Sequence, residues 1–271
     1  NAAVATSVVE DATNFTALNV VNASSSTAGV TIDVSNASQG VVITGGSGAD
    51  VFTGSAYADN INGGAGNDQI TGGAGADIIN VGTGRDVVSV SSNSDVTGPS
   101  NSSSTTAYDA ITGFGLSGVI STAADLATIA KFQAATAGGT NVSLLNIDLT
   151  EDDGAGTAGQ DLAVAVEANG TGAAQMAGAT YTVTNGILTL SGVGAANVDT
   201  LTEWLAEAAA VAATDGEALA FEFGSDTYVF AQNAGQDVLV KLVGITGAAA
   251  LTEVGGATTT IANSILISDG F

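Results

Sequence analysis

An aspartate recurs every nine residues, at Asp50, Asp59, Asp68, Asp77 and Asp86. Around it lie four near-copies of one nonapeptide, residues 45–53, 54–62, 63–71 and 72–80, and a fifth, 81–89, that lacks the first glycine. The pattern is G-G-x-G-x-D-x-U-x, with U apolar. Position six is Asp in all five copies, and position eight is Phe52, Ile61, Ile70, Ile79 and Val88. With twelve of the fifteen glycine places filled, 22 of 25 constrained places match, too many for a flexible Gly-rich linker. Glycine permits the positive φ of a tight turn that curls its carbonyls inward. The residues after each Asp read as a short strand, whose alternation sends position eight into a core. Such units are stable only when stacked on their neighbours.

These nonapeptides resemble the calcium-binding repeat of the RTX family of bacterial secreted proteins. The resemblance implies a flattened right-handed coil with two nonapeptides per turn, so that residues 18 apart stack. Asp50 then lies over Asp68, Asp59 over Asp77, and Asp68 over Asp86, with Asp68 serving two sites. About three Ca²⁺ ions are expected in the roll, each between two stacked loops. A carboxylate is a hard oxygen ligand that suits Ca²⁺, and carbonyls of the first four loop positions complete a shell of six or more oxygens. The expected ligand set is therefore Asp50, Asp59, Asp68, Asp77 and Asp86, with backbone from Gly45, Gly46, Gly48, Gly63, Gly64, Gly66, Gly72, Gly73, Gly75, Gly82 and Gly84. Two copies depart from the pattern. The second has Ser55 and Tyr57 at glycine positions, which predicts a distorted or weaker loop. The fifth places Arg85 beside Asp86. The aspartate register continues to Asp95 without glycine or apolar partners, which reads as the fading end of the stack.

The net charge of −24, with Lys131, Lys241 and Arg85 as the only cations, removes the basic footprint that nucleic-acid binding needs. It points to divalent cations as counter-charge. The chain has no Cys and no His, which excludes a disulfide scaffold, His-dependent triads and H-E-x-x-H zinc sites. No apolar run reaches transmembrane length. The chain starts with Asn and shows no signal peptide, so it reads as a segment of a longer protein.

The expected fold is mainly β: a parallel β-roll or β-helix of stacked nonapeptide turns, then a strand-rich C-terminal domain with two or more short helices. Residues 1–44 alternate like strands at 17–21, 29–34 and 40–44. Val34, Ile43 and Phe52 keep a nine-residue register, so a metal-free solenoid leads into the roll at 45–90. Residues 91–106, polar and holding the only Pro, form a loop or linker. Tyr108 to Phe114 resembles the D-x-I-x-x-F segment that closes RTX blocks. In the C-terminal domain, 107–271, capping boxes at Thr122–Asp125 and Thr200–Glu203 start two helices, the second with Leu201, Trp204, Leu205 and Ala208 on one face. Trp204 reads as a core anchor. Asn185-Gly186 turns one hairpin, Gly224-Ser225-Asp226 a second, and 237–243 and 258–267 are further strands. The acids Asp148, Glu151, Asp152, Asp153 and Asp161 read as a solvated loop, with a further Ca²⁺ site as the alternative.

The stretches Phe221–Phe230 and Asp237–Leu242 are similar to the end domain of large RTX surface-layer proteins. That resemblance implies type I export by an uncleaved C-terminal signal, followed by folding outside the cell in calcium. The expectation is a structural, self-assembling protein of the bacterial surface, not an enzyme. Its expected partners are further copies bridged by Ca²⁺ and cell-surface polysaccharide. The alternatives are a calcium-dependent RTX adhesin, or the export and folding domain of a secreted hydrolase or toxin.

Overall fold

In the computed structural model the described residues are 6–9, 18–91, 108–116, 128–135, 141–148, 163–164, 168–171, 180–191, 200–212, 216–232, 237–254 and 264–268. The first four nonapeptides form three-residue strands, and the fifth enters a seven-residue one, on alternating sides of a flattened coil. On one side lie β1 (Thr6–Val9), β3 (Val30–Asp33), β5 (Val51–Thr53), β7 (Gln69–Thr71) and β9 (Arg85–Ser91). On the other lie β2 (Val20–Asn22), β4 (Val42–Thr44), β6 (Asn60–Asn62), β8 (Ile78–Asn80) and β10 (Asp109–Thr112). All these neighbours pair in parallel.

Stacked residues are 18 apart in the repeats, as in Val42 with Asn60 and Asn60 with Ile78. Upstream the turns are wider: 24 residues separate Thr6 from Val30, 22 separate Val20 from Val42, and 20 separate Thr31 from Val51. The coil thus starts before the aspartates, but its sequence register differs there. Ile32, not Val34, stacks on Phe52. The extra residues form a bend in which the Val34 carbonyl accepts the Ala37 N–H at 2.8 Å and the Val34 side chain is itself buried.

Each three-residue strand of the repeats has one buried side chain. Ile32, Phe52, Ile70 and Val88 meet Ile43, Ile61, Ile79 and Ile111 in one fully buried core. Removing a large aliphatic side chain from water contributes roughly 1.5–3 kcal/mol, so stability accrues rung by rung along this row.

Both sheets run on past the roll. β9 pairs in parallel with β11 (Val142–Asp148), followed in the same sheet by β20 (Ser264–Ser268) and β19 (Ala250–Val254). β10 pairs with β18 (Val238–Leu242), then come β17 (Asp226–Ala231), β16 (Glu217–Phe223), β15 (Ile187–Ser191), β14 (Thr180–Thr184) and β13 (Ala168–Thr171), with β12 (Ala163–Val164) also on β16. The result is an eight-stranded and a twelve-stranded sheet sharing one core.

Among the described residues two helices cover the outer faces of this second half. α1 (Ile129–Ala134) seats Phe132 against Val87, Val142, Leu144 and Leu266 of the first sheet. α2 (Leu201–Val211) packs Leu205 and Ala208 on Leu219, Phe221, Phe230 and Leu239 of the second. The predicted box at Thr200–Glu203 is present in full, with Trp204 stacked on Phe221 at 5.2 Å between ring centroids. α1 is capped by Thr128; the box predicted at Thr122–Asp125 lies outside the described residues. So do Asp95, nearly all of the predicted linker, and the acidic group except Asp148, which ends β11. Among the described residues no helix is long and apolar enough to cross a membrane.

Candidate metal centre

The tight turn before each strand places the repeat aspartates inside the coil, where each is at most 3% exposed. The stacking builds two ladders. On one, Oδ1 of Asp50 accepts the Val30 N–H at 2.8 Å, Oδ1 of Asp68 accepts the Asp50 N–H at 2.8 Å, and Oδ1 of Asp86 accepts the Asp68 N–H at 2.9 Å. On the other, Oδ1 of Asp59 accepts from Val41 at 2.6 Å, and Oδ1 of Asp77 accepts from Asp59 at 2.8 Å. Each carboxylate therefore bonds one turn of the coil to the turn before it.

The second ladder extends further than the repeats. Oδ1 of Asp109 accepts the Asp77 N–H at 2.8 Å across 32 residues, and Ile111 stacks on Ile79. Asp109 is thus a sixth member of the aspartate set, absent from the ligands expected from the nonapeptides. Its signal was the spacing Asp109-x-Ile111, the same as Asp77-x-Ile79. The missing glycines and the long intervening segment masked it. Asp109 adds the neighbouring pair Asp77–Asp109 to the three pairs expected, so Asp77, like Asp68, has a ladder neighbour on each side.

The second carboxylate oxygens divide the loops into two kinds. In the first copy, Oδ2 of Asp50 accepts the Gly46 N–H at 2.9 Å. In the second, the Ser55 N–H donates to Oδ2 of Asp59 at 2.5 Å and the Ser55 hydroxyl to Oδ1 at 3.0 Å. The serine that replaces glycine thus occupies its own aspartate, and no residue of that loop has positive φ. In the third and fifth copies, by contrast, Oδ2 of Asp68 and Oδ2 of Asp86 are buried with no hydrogen-bond partner. Leaving such an oxygen unsatisfied costs roughly 1–3 kcal/mol, more for a charged group, so an arrangement of this kind calls for a cation.

At the first repeat position, carboxylate and carbonyl oxygens of two turns converge on a glycine. A Cβ on Gly63 would lie 2.7 Å from Oδ2 of Asp68 and collide with the Val81 carbonyl oxygen one turn on. A Cβ on Gly45 would lie 2.6 Å from Oδ2 of Asp50 and collide with the Gly63 carbonyl oxygen. At this first repeat position glycine is needed for close approach, whereas Gly64 and Gly66 are needed for backbone angles of +98° and +121°. Among the described residues no three acidic side chains come close enough to hold a metal by themselves. An ion here would take one or two carboxylates and would fill its shell with loop carbonyls, a donor set of hard oxygens that fits Ca²⁺.

Electrostatics support the same reading. Burial pushes Asp68 up to about 8, reinforced by the charges of Asp86 and Asp50 and opposed by the Asp50 N–H. Burial likewise raises Asp86 to about 6 and raises Asp59. Without a cation, these groups are held in an environment that disfavours their charge. The Arg85 Nε donates to the Phe132 carbonyl at 2.7 Å.

The family profile of the RTX calcium-binding nonapeptide repeat matches residues 41–56 and 53–88. No curated protein sequence matches the chain significantly. The profile covers the loops that carry both ladders up to Asp86 and stops short of Asp109. The chain thus carries RTX calcium-binding nonapeptide repeats, a repeat type typical of extracellular proteins exported by type I secretion.

Proposed function

We propose that this chain is a structural segment of an extracellular surface-layer or matrix protein that folds and self-assembles on binding Ca²⁺, without catalytic activity. The observation that carries this reading is the continuity of the sheets. The carboxylate cradles lie in the same stack of strands that runs on through β10 and β11 into the C-terminal half. Neutralising the cradles therefore stabilises a long rigid body rather than one local site, because metal binding becomes folding free energy. Export of an unfolded chain by a C-terminal signal, with folding delayed until extracellular calcium is met, fits that coupling.

The outer face of the second sheet suits assembly. Val20, Val42, Asn60, Ile78 and Ala110 form one registered row, beside Asn22, Thr44, Asn62, Asn80 and Thr112. None of the ten is charged, and Val20, Val42 and Ile78 are 59%, 42% and 55% exposed. In a chain of net charge −24, copies meet more readily through such a surface once Ca²⁺ has bridged the acids elsewhere.

Light scattering and electron microscopy of the whole chain test this. Millimolar Ca²⁺ is expected to produce sheets or filaments, and monovalent salt is not, since it screens charge without bridging carboxylates. A chain that folds in Ca²⁺ yet stays monomeric over a wide concentration range would favour an adhesin or an export domain instead.

A further inference from the structure

The five repeat loops take two forms. In the third, fourth and fifth, positions two and four are glycines with positive φ: +98° and +121° at Gly64 and Gly66, +102° and +116° at Gly73 and Gly75, +87° and +143° at Gly82 and Gly84. With the loop turned this way, Oδ2 of Asp68 and Oδ2 of Asp86 are buried with no hydrogen-bond partner. In the first and second loops neither position has positive φ, and the N–H at position two donates to Oδ2 of the loop's own aspartate. Gly46 donates to Asp50 at 2.9 Å, and Ser55 to Asp59 at 2.5 Å. The second loop goes further. The buried Ser55 hydroxyl donates to Oδ1 of Asp59 at 3.0 Å, and that oxygen also accepts the Val41 N–H at 2.6 Å. The chain itself thus supplies most of the hydrogen bonds that one carboxylate can accept. The Ser55 oxygen in turn accepts the Tyr57 N–H at 3.1 Å, which ties the two non-glycine positions of this loop together.

We propose that Ser55 stands in for the ion in the second loop: the step between Asp59 and Asp77 is closed by the chain's own donors and takes no Ca²⁺, and calcium enters the roll along the ladder of Asp50, Asp68 and Asp86. The proposal rests on the calcium reading of the repeats and assigns which loops load. Backbone freedom separates the second loop from the first. Gly46 and Gly48 can reach the positive φ of the later loops without strain, so the first loop can withdraw its N–H from Asp50 when an ion arrives. Ser55 and Tyr57 cannot follow. Positive φ disfavours a side chain, and in the turned loops a Cβ at position two would meet a carbonyl oxygen of the preceding turn, at 2.3 Å for Gly64, 2.0 Å for Gly73 and 1.9 Å for Gly82. Turning the second loop would also break both bonds from Ser55 to Asp59. The two departures from glycine therefore do more than weaken a site. They convert a metal step of the stack into a metal-free one and make the two sides of the roll unequal.

Calorimetric titration of the whole chain counts the Ca²⁺ bound. Ser55→Gly combined with Tyr57→Gly is expected to bind about one ion more than the parent, and adding Asp59→Asn should remove that gain. Equal counts in the parent and the double variant overturn the proposal. So does a gain that survives Asp59→Asn, since the added ion then lies elsewhere. Should the double variant fail to fold, anomalous diffraction at long wavelength from calcium-loaded crystals of the parent decides. Ions are expected between Asp50 and Asp68 and between Asp68 and Asp86, and an ion on Asp59 overturns the proposal. A parent chain that binds no Ca²⁺ overturns the calcium reading itself, an outcome distinct from the others.

Discussion

At the scale of single residues, the two oxygens of each aspartate have different tasks. Oδ1 accepts a backbone N–H from the preceding turn throughout both ladders, which makes Asp a structural part of the coil even before any ion is bound. Oδ2 of Asp68 and Asp86 faces the loop interior. The raised pKa of Asp68, about 8 against 3.8 unfolded, has a definite sign. The metal-free roll holds its proton where the unfolded chain has lost it. The contribution of Asp68 to stability is therefore greatest at or below 3.8, falls as pH rises, and reaches its floor above about 8. Calcium must displace that proton near neutral pH. Binding is expected to release about one proton per roll from Asp68 and to tighten as pH rises towards 8. Calorimetry in buffers of different ionisation enthalpy measures this directly, and heats that do not depend on the buffer would contradict it.

At the scale of elements, local sequence was decisive wherever a short motif carried its own hydrogen bonds. Asn185 and Gly186, at φ of 50° and 77°, turn the β14–β15 hairpin as an Asn-Gly pair should. Thr200 accepts the Glu203 N–H and Glu203 accepts the Thr200 N–H, closing the box that starts α2. Thr200→Ala is accordingly expected to destabilise the calcium-loaded chain by about 1 kcal/mol, read as a lowered urea midpoint with unchanged slope. The roll strands are the opposite case. At three or four residues each, the strands other than β9 have no independent stability and exist because neighbours stack above and below.

At the scale of the whole molecule, this dependence passes beyond the repeats. β11 leans on β9 through seven registered residues, and β18 leans on β10. Trp204 of α2 sits far from the repeats in sequence, but it stacks on Phe221 of β16, a strand of the same sheet as β8. Chelating Ca²⁺ is therefore expected to shift Trp204 emission towards the red in the same transition that abolishes the β signal of the roll. Mg²⁺ should restore neither, because it dehydrates reluctantly and demands octahedral geometry. Trp204 emission that survives chelation while the roll melts would show that the C-terminal half stands alone.

The sequence by itself determined the repeat and the inward row from Phe52 to Val88, because the apolar position alternates with outward neighbours along each short strand, whereas the 18-residue stacking interval was implied by the resemblance to RTX repeats. It also determined the α2 box and the hairpin turns, whose bonds are made within a few residues. It did not show that Asp109 joins the second ladder, since that pairing spans 32 residues and is fixed by β10 stacking on β8. Nor did it distinguish Asp59, satisfied by Ser55, from Asp68 and Asp86, whose Oδ2 atoms are buried without a hydrogen-bond partner. The wider upstream turns, which put Ile32 rather than Val34 over Phe52, and the seat of Phe132 beside Arg85 were likewise decided only in three dimensions. In each case the deciding contact joins residues whose separation is set by loop closure and sheet register, and a nonapeptide period carries no information about partners outside its own repeat.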